Sequence, residues 1–148
     1  MRVGIAGYGL AGRYFHAPLL KGCGYEVVAI QTSNAERAGH AVGDFPHVNV
    51  VATIQELVAH KLDLVVVASA NLVHAEHAFA AINAGIPVVI DKPMGRTFAE
   101  TAEIISAGER QGVPVSTFFN RRWDSDALTI KKVLASGVLG TIHRMDSR

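Results

Sequence analysis

At 148 residues the chain has the length of one ordinary domain. With 49% apolar and 18% charged residues it is too hydrophobic for a disordered or collagen-like polypeptide. Its 14 basic and 13 acidic residues leave a net charge of +1, without the electrostatic footprint of a nucleic-acid or anionic-membrane partner. The lone Cys23 excludes an internal disulfide and a cysteine-based zinc site. The first apolar run, Val3 to Gly7, is too short for a signal peptide, and no window approaches the ~18 apolar residues of a membrane span. These features read as a protein of the reducing cytoplasm.

Short apolar runs of strand length alternate with stretches of helical period along the chain. Val3 to Ala6 precedes Leu10 to Leu20, Glu26 to Ile30 precedes Asn34 to Ala41, and Val48 to Val51 precedes Ile54 to His60. Leu62 to Ala68 precedes His74 to Ala84, Pro87 to Ile90 precedes Phe98 to Gln111, and Val113 to Phe119 precedes Ala127 to Leu134. Strict alternation of this kind predicts a doubly wound parallel sheet with helices on both faces. The unbroken apolar run from Leu64 to Ala68 suits a central strand buried on both sides. Asn34 is placed to N-cap the second helix, with Arg37 in its first turn, and Gly85 and Gly112 sit where left-handed C-caps belong.

Chemistry enters at Gly7-Tyr8-Gly9-Leu10-Ala11-Gly12, directly after the first strand and opening the first helix. Gly7 serves a tight turn, Gly9 lets backbone approach a pyrophosphate, and Gly12 allows close helix packing. The phosphates then face unpaired N–H groups at a helix N-terminus. This context makes dinucleotide binding, within a Rossmann-type α/β fold, the reading of the loop. An adenosylmethionine-binding domain fits less well, because the glycine spacing suits a pyrophosphate.

Some twenty residues on, an acid would bind the ribose diol of NAD. The chain has Thr32, Ser33 and Asn34 there, and no acid. Nothing repels a 2′-phosphate, and the two hydroxyls with the Arg37 guanidinium can hold one. NADP is therefore preferred over NAD, although Arg37 taken alone reads equally well as a solvated helix residue. After the fourth strand, Ser69, Ala70, Asn71 and His74 lie at the carboxyl edge, where ligands of open parallel sheets bind. His74 is expected to face that crevice, with Glu76 and His77 on the surface and no metal site. Asp91-Lys92-Pro93 closes the fifth strand at the same edge. Partial desolvation there would favour the neutral amine of Lys92 and ready it for proton transfer. From spacing alone, a snorkelling lysine at a strand end is the commoner reading.

Gly7 to Gly12 with His16-Ala17-Pro18, Asn71 with His74, and Asp91-Lys92-Pro93 together resemble the N-terminal domain of the Gfo/Idh/MocA oxidoreductases. Asn120-Arg121-Arg122-Trp123-Asp124 and Leu128 to Lys132 resemble, more narrowly, the family's NADP-dependent scyllo-inositol dehydrogenase branch. The resemblance implies hydride transfer between a sugar or cyclic polyol and nicotinamide. Lys92 would be the catalytic lysine, and Asp91 stands where the family has glutamate. It also implies cofactor contacts from Tyr8, Leu10, Ala11, Asn34, Ser69, Ala70, Asn71, His74, Asp91, Asn120 and Arg121.

The resemblance further implies a Rossmann domain over residues 1–118, with residues 119–148 beginning an α+β substrate and oligomerisation domain. Thr141 to Arg148 reads as one amphipathic strand. The expectation is a truncated chain that binds cofactor without turning over substrate, from an enzyme that is a homo-oligomer at full length. An NAD(P)-sensing module without chemistry is the alternative, since fold alone does not fix function. Lys92 favours the enzyme, because a sensor needs no proton-transfer group.

Overall fold

The computed structural model describes residues 1–146. Apolar runs form six strands: β1 (Arg2–Ala6), β2 (Glu26–Gln31), β3 (Asn49–Val51), β4 (Leu64–Val67), β5 (Val88–Ile90) and β6 (Val115–Thr117). They make one parallel sheet in the order β3-β2-β1-β4-β5-β6. The chain starts at the centre, winds outward to β3, then crosses back to place β4 on the free side of β1. This reversal creates a crevice between β1 and β4, where loops leave in opposite directions.

The register aligns the carboxyl ends. Ala6 pairs with Gln31 and with Val67, Gln31 with Val51, and Val67 with Ile90, which pairs with Thr117. The loops after these strands therefore share one edge of the sheet.

Helices cover both faces. The chain turns helical at Leu10, makes a π turn over Gly12–His16 and continues as α1 (Ala17–Gly22). Pro18 explains the irregularity, since it has no N–H to donate back along the helix; Ala17 instead donates to the Gly12 carbonyl five residues earlier. The other helices of the sheet are α2 (Ala35–Asp44), α3 (Ile54–Val58), α4 (His74–Asn83) and α5 (Phe98–Gln111). Asn34 and Thr97 cap α2 and α5, Thr53 and Glu56 form a capping box on α3, and Gly112 ends α5 at φ +65°. Such caps satisfy N–H and C=O groups that a helix end leaves orphaned.

The period-2 alternation of β4 divides the core. Val65 and Val67 join Leu57, Ile82 and Ile104 on one face, while Val66 and Ala68 join Tyr8, Leu20 and Ala41 on the other. The three valines are at most 2% exposed, each worth about 1.5–3 kcal/mol of burial.

The chain divides into two units, Met1–Phe118 and Phe119–Arg148. The second contains a 3₁₀ turn, Asn120–Trp123, and α6 (Ser125–Ala135), none of whose residues is buried. The amphipathic strand read at residues 141–148 does not form over 141–146. A strand needs a partner ladder, and the unit offers none among the described residues. Ser147 and Arg148 lie outside the described residues.

Candidate functional site

The glycine-rich loop leaves β1 with its backbone pinned. The Gly7 N–H donates to the Gln31 carbonyl at 2.9 Å, and Gly7 adopts φ +95°. A Cβ at Gly7 would come within 2.5 Å of the Ser69 Cα, and one at Gly12 would collide with the Gly7 carbonyl oxygen. Both glycines are thus fixed by turn conformation and close approach. Gly9 is different, because the nearest atoms to its Cβ position are those of the Arg37 guanidinium, at 3.6–3.8 Å. The half-buried Gly9 thus packs against a cation from α2. Leu10 is exposed, while Ala11 packs against the core.

Tyr8 departs from its implied role. Its side chain is 1% exposed and its hydroxyl donates to Asp44 at 3.0 Å. It belongs to the packing beneath the loop, and burial followed by the Asp44 bond pushes its phenol well above the usual range. Arg13 donates to the same carboxylate at 2.8 Å. A cleft of about 530 Å³ opens beside this cluster, away from the carboxyl edge.

At the end of β2, Thr32 also differs from the sequence reading. It is 9% exposed and its hydroxyl accepts from the Asn34 N–H at 3.3 Å, while its own N–H donates to Val51. The hydroxyl accepts within a local turn and keeps its own O–H to donate. Asn34 accepts from the Arg37 N–H at 3.0 Å. Ser33, Asn34 and Arg37 are exposed and so available to a ligand.

Beyond β4, Ser69 has a buried hydroxyl without a hydrogen-bond partner among the described residues, on the residue that abuts Gly7. Asn71 opens a 3₁₀ turn, Asn71–Val73, leading into α4. His74 is 1% exposed, with Nδ1 2.9 Å from the Pro93 carbonyl and Nε2 3.0 Å from the Ser69 carbonyl. Both nitrogens are consumed by backbone, so its ring bridges two loops instead of facing the crevice. His77, read as a surface residue, is 6% exposed. The reason is its position one turn along the helix face that carries His74, and burial lowers its basicity.

The Asp91 N–H extends the ladder to Val67 at 2.8 Å, and Asp91 Oδ1 accepts from the Lys92 N–H at 2.8 Å. The Lys92–Pro93 peptide is cis. Lys92 is exposed; its side chain leaves the sheet edge into solvent, so this chain by itself does not supply the desolvation expected from the strand.

Sequence reasoning missed His16. The π turn buries it to 4%, against the Phe118 ring (centroids 4.4 Å apart) and with Nε2 3.8 Å from Asp91 Oδ2. That gap exceeds a hydrogen bond, and burial lowers the basicity of His16 despite the opposing pull of Asp91. Its signal was present in His16-Ala17-Pro18, since Pro18 forces the π turn that directs the histidine inward. Asn120 and Arg121 belong to the second unit, where Arg121 pairs with Asp124 at 2.9 Å.

A glycine loop opening a helix at the switch point of a parallel sheet defines a dinucleotide-binding domain. The unpartnered Ser69 hydroxyl beside Gly7 and the guanidinium of Arg37 fit such a ligand. A family model described as an oxidoreductase family with an NAD-binding Rossmann fold matches residues 1–119, and the chain belongs to this GFO/IDH/MocA family. It is 41% identical over 145 residues to the scyllo-inositol 2-dehydrogenase (NADP(+)) IolW of Bacillus subtilis, covering 97% of this chain and 40% of that protein. It is 40% identical over 148 residues to YdgJ, an uncharacterised oxidoreductase of Escherichia coli K12, covering 99% and 42%. The solved structure of Bacillus subtilis YvaA superposes with a TM-score of 0.87 at 41% identity, covering 93% of this chain and 40% of that one. The chain thus spans about two-fifths of the length of these relatives. No helix among the described residues is long and apolar enough to cross a membrane.

Proposed function

We propose that this chain is the NADP(H)-binding part of an oxidoreductase acting on a secondary alcohol of a sugar or cyclic polyol. The observation that carries the reading is the pair of exposed polar side chains after β2, Ser33 and Arg37, the guanidinium reaching to the glycine loop, with no acid at the end of β2 to select a ribose diol. Arg37 and the Ser33 hydroxyl would hold a 2′-phosphate, the N–H groups of Gly9 to Gly12 would cradle a pyrophosphate, and Ser69 with Asn71 would border the crevice beyond. When bound, nicotinamide accepts or returns the hydride.

Lys92, projecting from the same sheet edge, would take the hydroxyl proton on oxidation and return it on reduction. Asp91 fixes the Lys92 backbone and, facing His16, anchors the turn. Residues 1–118 would form the cofactor domain and residues 119–148 the start of the substrate domain. The dehydrogenase name and NADP(+) dependence of the similar IolW support this assignment, as does the family description. Titration of the chain with NADPH and NADH tests it, and tighter binding of NADPH is expected. A preference for NADH would refute the assignment of Arg37.

A further inference from the structure

The surroundings of His74 constrain its hydrogens. The Ser69 and Pro93 carbonyl oxygens lie 3.0 Å and 2.9 Å from its two ring nitrogens, and a carbonyl oxygen can only accept. A neutral imidazole carries one N–H. In either tautomer a nitrogen lone pair would face a carbonyl lone pair inside the protein, where an unmade hydrogen bond is costly. Turning the ring over sets carbons against both oxygens and forfeits both bonds. The arrangement is satisfied only when both nitrogens carry hydrogen.

We infer that His74 is an imidazolium cross-link and a positioning residue, donating at once to the end of β4 and to the turn after β5. The bonds are charge-assisted and so stronger than neutral ones. Lys92 sits between two pins: the Asp91 N–H is held by Val67 at 2.8 Å on one side, and the Pro93 carbonyl is held by His74 on the other. The ring therefore fixes the backbone from which the lysine projects relative to the Ser69–Asn71 loop. Its bearing on catalysis rests on the role proposed for Lys92; its state of protonation does not.

The ionisable groups in electrostatic reach of His74 lie on α4 and α5. On α5, the Glu100 carboxylate is held below the usual carboxylate range, first by its bonds to Arg96, so an anion lies nearby. On α4, His77 is held below the usual histidine range, first by burial, against the pull of Glu76.

Nitrogen-15 spectra of the histidine rings in the intact chain at neutral pH test the inference, with the His74 signals assigned by their loss in His74→Gln. Two protonated ring nitrogens are expected for His74, and fewer for His77. One protonated and one bare nitrogen on His74 would overturn the imidazolium. Amide hydrogen exchange tests the positioning role. Exchange at Asp91 and Lys92 should quicken roughly 10- to 100-fold in His74→Gln, the equivalent of one charged hydrogen bond, and stay unchanged in His77→Gln. Equal behaviour of the two variants would overturn that role. Should His74→Gln fail to fold, the wild-type ring spectrum still decides the first point, with assignment through the bonds of the labelled chain. Neither measurement uses a dinucleotide, so this inference and the cofactor assignment fail separately.

Discussion

Replacing Arg37 with alanine should separate the two nicotinamide dinucleotides by their 2′ positions. The side chain starts from a fixed point, since the Arg37 N–H is held by Asn34 at 3.0 Å. It ends 3.6–3.8 Å from the Cβ position of Gly9. A 2′-phosphate held by the guanidinium would lie within about 4 Å of it, where unit charges attract by ~1 kcal/mol in water and ~4 kcal/mol at an effective dielectric of 20. Arg37 is exposed and salt screens it over ~8 Å at physiological ionic strength, which keeps the interaction near the lower end, about 1–2 kcal/mol.

Arg37→Ala should therefore weaken NADPH binding roughly 5- to 30-fold, leave NADH binding unchanged, and lose most of its effect at about 0.5 M salt. Calorimetric titration of both proteins with both cofactors measures this. Ser33→Asp should push in the same direction, because an exposed carboxylate there repels a phosphate without being buried. Equal losses for the two cofactors would make Arg37 a prop for the glycine loop, and no loss would make it a solvated helix residue. Either result would refute the electrostatic reasoning.

Gly12→Ala should abolish NADPH binding and cost ~1–3 kcal/mol of stability, since its Cβ meets the Gly7 carbonyl oxygen; Gly39→Ala, with nothing within 4 Å, should instead raise the urea midpoint by the equivalent of ~0.5–1 kcal/mol. Burial holds His16 and His77 below the usual histidine range, so the unfolded chain binds more protons. Their contribution is complete above pH ~6.5 and is lost as pH falls toward the folded values. Urea midpoints measured from neutral to mildly acidic pH should fall in the wild type and flatten in a His16→Gln, His77→Gln double variant; an unchanged slope would assign the loss elsewhere. In a polypeptide that carries the substrate domain, Lys92→Met should lower turnover ~10²–10⁴-fold with NADPH affinity nearly unchanged, and a loss of cofactor binding with intact turnover would make Lys92 a cofactor-positioning residue only.

The alternation of strands and helices was legible because the β-branched runs are short, several are bounded by Gly or Pro, and each is followed by a stretch of helical period. Asn34 and Gly112 show the same legibility at single residues, since a cap is a local event and the spacing that suggests it is the spacing that makes it. The π turn escaped notice because its cause, Pro18, looks from the sequence like a residue in an ordinary first helix. The strand read at Thr141 onward depended on pairing, and alternation in one segment carries no information about a partner. Its neighbour α6 forms on local propensity without a side-chain N-cap bond, yet leaves Leu128, Ile130, Val133 and Leu134 exposed, so helix formation there was legible while burial was not.

The polar residues of the site show a sharper limit. Thr32, Tyr8 and His74 all sit where a ligand-binding side chain belongs, and each is engaged by the protein itself: by the Asn34 N–H, by Asp44, and by two carbonyls. Strand ends expose backbone groups that the ladder no longer satisfies, and the nearest polar side chain is recruited to them before any ligand arrives. A polar residue at the carboxyl edge is thus available to a ligand only after the local backbone has been supplied. Ser69, whose hydroxyl is buried and unpartnered beside Gly7, meets that condition, as do the exposed Ser33 and Arg37. No spacing rule separates Thr32 from Ser33; the difference is that β2 pairs with β3 on one side, which turns Thr32 inward to donate its N–H to Val51. Which of the two side chains is buried is therefore decided by strand order, a property of the assembled sheet.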